Sequence, residues 1–265
     1  NLGVLSKDHS RTQQDPEYRY AVFRYPLWER ISVNPSFRSI WRKGEYPFLF
    51  LFPPATLSIM SKQACIIFDF DGTLYPIAPY DSEQRLIRKV ADAKGTLFRQ
   101  RAKRLIAQDQ AGKLIDDAFH TRYAHLVRTA TPSMIDEVAR DISLFLSEED
   151  SKALAALSCR ADLAILTCGT ENLVESFLQH IGLREHFFLI RGKRLVWDEP
   201  GRNHMVVDID SPQAKAEALE LLRSQYRTIV AVGDGPTDMP MLHASDLPLI
   251  IDWNRNKREY PFETY

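Results

Sequence analysis

Cys65-Ile66-Ile67-Phe68-Asp69-Phe70-Asp71-Gly72-Thr73-Leu74 is the stretch on which the reading of this 265-residue chain turns. Four apolar residues in a row predict a strand buried on both faces, and the polar run behind them predicts a turn where that strand stops. Downstream, over 81–157, the pattern is helical: Leu86 and Val90, Leu97 and Leu105, Leu114, Ala118 and Leu126, then Ile135, Val138 and Ile142 recur at helix-compatible intervals. Gly95 and Gly112 punctuate these helices and Pro132 opens another. Strand signals return at 163–167 and 187–190, with a helix over 171–180 between them. Val196 and Val206-Val207 predict a small hairpin around Glu199-Pro200-Gly201. A helix over 212–223, a strand over 228–232, the turn Gly233-Asp234-Gly235 and a strand over 247–251 follow.

Strands alternating with helices predict an α/β fold, a Rossmann-like parallel sheet with helices on both faces. The helical block after the first strand predicts a small cap. The expected division is a core of 60–80 and 158–265, a cap of 81–157 and an irregular extension of 1–59. In such sheets ligands gather beyond the carboxyl ends of the strands, where Asp69, Thr167 and Asp234 all fall.

Carboxylates at i and i+2 leaving a strand can project to the same side, so Asp69 and Asp71 can address one substrate atom, with Gly72 letting the backbone turn. Asp69 is suited to attack a phosphorus atom whose charge is neutralised, forming an acyl phosphate that splits hydrolysis into two easier steps. Asp71, held protonated by negative surroundings when substrate arrives, can protonate the leaving oxygen and then deprotonate the attacking water. Magnesium prefers oxygen ligands, and Asp69, the backbone carbonyl of Asp71 and Asp234 make a plausible Mg2+ set, with Asp238 orienting them from behind. A calcium loop fits less well, because the glycine comes too early and an apolar strand precedes it. Thr167, read as the end of its strand, can donate its hydroxyl to the phosphoryl group, and the amides around Cys168 and Gly169 at the next helix start can face the same anion. Lys215, near the start of its helix, would meet phosphate and Asp69 together. Lys193 and Lys152 compete for that role, but the distance before Gly233 favours Lys215.

The set Asp69-Phe70-Asp71-Gly72-Thr73-Leu74, Thr167, Lys215 and Gly233-Asp234-Gly235-Pro236-Thr237-Asp238 resembles the four motifs of the haloacid dehalogenase superfamily in order and spacing. The resemblance covers nearly all of 65–252, and the helical insert resembles the cap of the phosphoserine phosphatase-like branch. It implies a phosphatase rather than a dehalogenase, because an acid at position 71 marks the phosphatases. The chain departs from phosphoserine phosphatases in carrying Gly72 where they usually have serine, and Tyr75-Pro76-Ile77-Ala78 where they have a glutamate. That departure weighs against phosphoserine. The chain also stops at Tyr265, soon after the last strand, where relatives often continue, so a truncated C terminus is expected.

Composition narrows the rest. Basic and acidic residues nearly balance, with a formal net charge of −1, so no overall field points to nucleic acid or to a membrane surface. The longest apolar stretch, 46–60, is broken by Pro47, Pro53 and Pro54 and falls short of the roughly 20 residues that span a bilayer. Cys65, Cys159 and Cys168 lie far apart without metal-ligand spacing, which predicts small buried thiols and a cytoplasmic setting. The basic residues of the insert (Arg85, Arg88, Lys89, Lys94, Arg99, Arg101, Lys103, Arg104) predict a solvated helix face, or a surface that attracts an anionic substrate. Residues 1–59 show no sustained periodicity; either Met60 is the natural initiator or this segment is a partner-binding arm. The functional expectation is a phosphatase acting on a small phosphorylated substrate. The alternatives are a phosphotransferase or mutase using the same intermediate, and an interaction protein using the arm.

Overall fold

The computed structural model describes residues 63–113, 116–199 and 201–253; the expectations for 1–59 and for the end of the chain lie outside them. Six strands form one sheet: β1 (Ala64–Phe68), β2 (Asp162–Thr170), β3 (Phe187–Glu199), β4 (Arg202–Val207), β5 (Thr228–Gly233) and β6 (Leu247–Ile250). Their spatial order is β4-β3-β2-β1-β5-β6. All neighbours pair in parallel except β3 and β4, which form an antiparallel hairpin. The expected hairpin is therefore present, but its first arm is continuous with the strand read at 187–190, because β3 pairs first with β2 and then with β4 along its length.

Between β1 and β2 the chain forms α1 (Ser82–Lys94), α2 (Thr96–Gln110), α3 (Asp116–Val127), α4 (Pro132–Ser143) and α5 (Glu148–Ser158). Then α6 (Glu171–His180) follows β2, α7 (Pro212–Glu220) precedes β5, and α8 (Met239–Ala244) precedes β6. Local chemistry sets the helix starts. The Asp81 carboxylate accepts the Gln84 amide at α1, the Thr131 hydroxyl accepts the Met134 amide at α4, and Ser147 and Asp150 make a reciprocal capping box at α5. Ser211 caps α7, with Pro212 in the first helical position.

Alternation along the two central strands explains how one sheet buries both faces. Phe68, Leu163 and Ile165 face a cluster completed by α1 through α6, whereas Cys65, Ile67, Ala164 and Leu166 face a second cluster completed by α7 and α8. The apolar residues of the insert, among them Leu86, Ile135 and Ile142, thus run into the same cluster as Phe70 and Phe177 of the sheet layer. Of the three cysteines only Cys65 is fully buried. Cys168 is half-buried, and Cys159 is exposed because it caps the C terminus of α5 rather than occupying its packed face, which corrects the reading of all three as buried. The basic residues of the insert are largely exposed, and Lys89 pairs with Glu137.

Phe177 meets Phe70 edge-on at 5.2 Å and is fully buried at the junction of α6, the β1 turn and the insert. Replacing it by alanine should cost about 3–5 kcal/mol, read as a lower denaturant midpoint at unchanged slope in urea unfolding.

Candidate active site

The site is built where β1 and β5 end side by side. The Asp69 amide donates to the Val232 carbonyl at 2.9 Å, one step beyond the last paired residues of β1, so the ladder itself fixes Asp69 beside the β5 turn that carries Asp234. From the other side α7 delivers Lys215. Its Nζ donates to Asp69 Oδ1 at 2.6 Å and to Asp238 Oδ1 at 2.8 Å, and the side chain is 2% exposed. Asp238 is fully engaged: its other oxygen accepts the amides of Asp234 and Gly235 at 3.0 and 3.3 Å. Lys152, by contrast, pairs with Glu148 at the surface, and Lys193 pairs with Glu83. Of the three lysines weighed, Lys215 is the one that touches Asp69.

Carboxylate oxygens of Asp69, Asp234 and Asp238 all lie within 4.8 Å of one another. One ammonium against three acids leaves an excess of negative charge in a nearly dry place. Burial, then the neighbouring Asp238, holds the Asp69 carboxyl well above the usual range, with Lys215 opposing. Asp234 is pushed up to about 7, again by burial first and Asp238 second. For Lys215 burial works against the charge, but Asp69 and Asp238 outweigh it and raise its pKa. All-oxygen donors under mutual repulsion form a set suited to a hard divalent cation. Both oxygens of Asp238 already accept hydrogen bonds, one from Lys215 and the other from the amides of Asp234 and Gly235.

Gly72 has a φ of +83°, and a β-carbon there would stand 2.3 Å from Asp234 Oδ2. The missing side chain therefore makes room for Asp234, a stronger demand than the turn read from the sequence. Asp71 is held from the insert side. Its Oδ1 accepts the Ser82 amide at 2.7 Å and the Tyr75 hydroxyl, and its Oδ2 accepts the Ser82 hydroxyl at 2.8 Å. A β-carbon on Gly169 would lie 3.0 Å from Asp71 Oδ2 and 3.1 Å from Thr167 Oγ1, so the absent side chain lets these two groups face a common space.

Thr167 does not end its strand. β2 runs on to Thr170 through an irregularity in its pairing with β3 between Leu166 and Thr170, and Thr167 within that stretch is buried. Nor is the Gly169 amide open to an anion, because it donates to Thr167 Oγ1 at 2.9 Å. That bond uses a Thr167 lone pair and leaves its proton to donate. Cys168 is beside the site with its thiol pushed up to about 11 by burial, so it remains a thiol at neutral pH.

Sequence reasoning missed Tyr75, Ser82, Glu83, Thr170 and Trp253, and weighed Lys193 only as a rival to Lys215. Glu83 accepts from Lys193 Nζ at 2.8 Å and from the Thr170 hydroxyl at 2.6 Å, while Tyr123 bonds Thr170 at 2.7 Å. Burial pushes the Glu83 carboxyl up and the Lys193 charge opposes it. Trp253 Nε1 donates to the Gly72 carbonyl at 2.7 Å. One available signal was the first turn of α1, where Ser82-Glu83-Gln84 follows the capping Asp81: a helix needs one cap, not a further run of polar side chains.

The profile of the family described as haloacid dehalogenase-like hydrolase matches residues 66–243. The chain belongs to that family. Solved structures that share the fold of this haloacid dehalogenase-like hydrolase include the following three. One, described as a phospho-aspartyl intermediate analogue of phosphoserine phosphatase, is 20% identical with a TM-score of 0.54, over 71% of this chain and 86% of that one. Another, a protein of unknown function from Bordetella pertussis Tohama I, is 16% identical with a TM-score of 0.58, over 71% and 89%. The third, cytosolic 5′-nucleotidase IIIB bound to cytidine, is 16% identical with a TM-score of 0.54, over 71% of each chain. At these identities the likeness is one of fold. No curated protein matches the chain by sequence.

Two outcomes follow from this geometry. Gly72→Ser, which sets a β-carbon against the Asp234 carboxylate, should weaken magnesium binding about tenfold or more, measured by calorimetric titration. The Asp234 carboxyl stands at about 7 against an ordinary 3.8, so the folded metal-free protein holds a proton that the unfolded chain has released. Its contribution to stability is present below the ordinary value and lost as pH rises through about 7. Thermal melts of chelated protein should show that loss, and a divalent cation held through the deprotonated Asp234 would bind more weakly as pH falls through the same value.

Proposed function

We propose that this hydrolase is a magnesium-dependent phosphatase of small phosphomonoesters that works through an aspartyl phosphate on Asp69. The observation that carries the reading is Lys215, buried and donating to Asp69 and Asp238 together. An ammonium in that position favours the ionised form of the attacking carboxylate against burial and Asp238, and meets the charge that builds on the transferring phosphoryl group. The phosphoserine phosphatase and 5′-nucleotidase among the solved structures of the same fold support this choice of reaction.

In the first half-reaction an Asp69 carboxylate oxygen bonds to phosphorus, the bond from phosphorus to the leaving oxygen breaks, and that oxygen takes a proton from Asp71. In the second, water bonds to phosphorus and gives a proton to Asp71, and the bond from phosphorus to Asp69 breaks, restoring the carboxylate and releasing phosphate. Asp71 Oδ1 carries two donated hydrogen bonds and Oδ2 one, so Oδ2, on the side shared with Thr167, is the oxygen with capacity to exchange that proton. Thr167 donates its hydroxyl to a phosphoryl oxygen. Magnesium, when bound, supplies charge neutralisation at the phosphate; Asp69, Asp234 and the main-chain carbonyl of Asp71 are the groups proposed to hold it, with Asp238 behind them. The insert, 81–157, serves in this reading as the cap that selects the leaving group and excludes bulk water.

Phosphate release from a panel of phosphomonoesters should depend on magnesium, stop with excess chelator, and fall by about three orders of magnitude or more in Asp69→Asn. Turnover of the panel by folded Asp69→Asn at the wild-type rate would overturn the reading.

A further inference from the structure

Ser82 supplies two of the three donors on Asp71, and Ser82 sits in the first turn of α1. What fixes that turn against the sheet is the next residue. Glu83 is 5% exposed, and both its oxygens are used across the boundary between insert and sheet: Oε2 by Lys193 of β3, and Oε1 by Thr170 at the end of β2. Tyr123 of α3 bonds the same Thr170 hydroxyl, and the Lys193 ammonium lies over the rings of Tyr123 and Phe119 at 5.2 and 5.6 Å. Thr170 belongs in turn to the segment that carries Thr167 and Gly169. One buried ion pair therefore ties the helix turn that grips Asp71 to the strand end that would hold phosphate.

Stability alone accounts poorly for this pair. Removing two charges from water costs several kcal/mol per ion, and well-packed apolar side chains commonly serve a fold as well or better. Nor does α1 need Glu83 to begin, since Asp81 already accepts the Gln84 amide. What a charged pair provides and an apolar one does not is direction, through hydrogen bonds that hold a neighbouring group to a fraction of an ångström.

We propose that Glu83 and Lys193 are positioning residues for the acid-base carboxylate, acting through Ser82 to aim Asp71 at the leaving oxygen. The inference rests on the phosphatase reading and extends it to residues that do not touch substrate. Such a role has a signature that a merely structural one lacks. A misplaced general acid matters most when the leaving group is a poor one, and little when the leaving group departs readily as an anion.

The test is kcat/KM, which reports phosphoryl transfer to Asp69, over a series of aryl and alkyl monophosphates of graded leaving-group pKa at saturating magnesium. Wild type is compared with Glu83→Gln, Lys193→Met, the double variant and Ser82→Ala. Each variant should lose about tenfold or more on alkyl esters and much less on the best aryl leaving groups, steepening the dependence on leaving-group pKa. Combining Ser82→Ala with Glu83→Gln should add little further steepening, because the two act on one group. The double variant has no unpaired buried charge and should keep a thermal midpoint near wild type, so it carries the test if a single variant folds poorly. A uniform loss across the series, or no loss, would overturn the positioning role while leaving the phosphatase reading intact. A wild type that turns over no ester in the series would overturn the phosphatase reading, and this inference with it.

Discussion

Three carboxylates, Asp69, Asp234 and Asp238, meet at the ends of β1 and β5, and a single ammonium reaches two of them. Without Lys215 this arrangement would not persist as a charged site. Removing one partner from a buried ion pair costs about 3–5 kcal/mol because the other charge is left stranded. Here two partners would be stranded at once. The topology serves that contact: β1 at the centre of the sheet presents Asp69, the parallel β5 beside it presents Asp234 and Asp238, and α7 crosses the face to bring Lys215 between them. Gly72 follows from the same crowding, since no other residue lets the β1 turn pass beneath the Asp234 carboxylate.

Much of this was legible in the chain. The apolar run ending at Asp69 marked the central strand because β1, flanked by β2 and β5, is buried on both faces, and such a strand leaves an unbroken apolar signature. Lys215, Asp234 and Asp238 could be chosen by order along the chain because each sits just past the start of a helix or the end of a strand, where boundaries are sharply signalled by Pro212, Gly233 and Pro236.

Other features were hidden for a physical reason. Glu83 and Lys193 are charged, and a charge in a chain reads as solvent-facing until its partner, 110 positions away, is known. Ser82 beside a capping aspartate reads as part of the cap. The irregular pairing of β2 between Leu166 and Thr170 leaves no mark in periodicity, so the chain reads as ending that strand at Thr167 when it continues to Thr170. The cysteines illustrate the same limit, since Cys159 at a helix end has no reason to be buried.

The insert and the sheet layer share one apolar cluster and are further joined by the polar contacts at Glu83, Thr170 and Asn203, the last donating to the Val127 and Ala130 carbonyls from β4. In the phosphatase reading both half-reactions draw on both parts of the molecule, the acid-base Asp71 gripped by Ser82 of the insert and the nucleophile Asp69 fixed by the sheet. The central claim is that Asp69 carries the phosphoryl group between those halves. Rapid acid quench of turnover with a substrate labelled in its phosphoryl group, followed by peptide mapping, tests it most directly. The account predicts an acid-stable, hydroxylamine-labile label on the peptide containing Asp69, absent from Asp69→Asn. Label on any other residue, or magnesium-dependent phosphate release from Asp69→Asn at the wild-type rate, would contradict it.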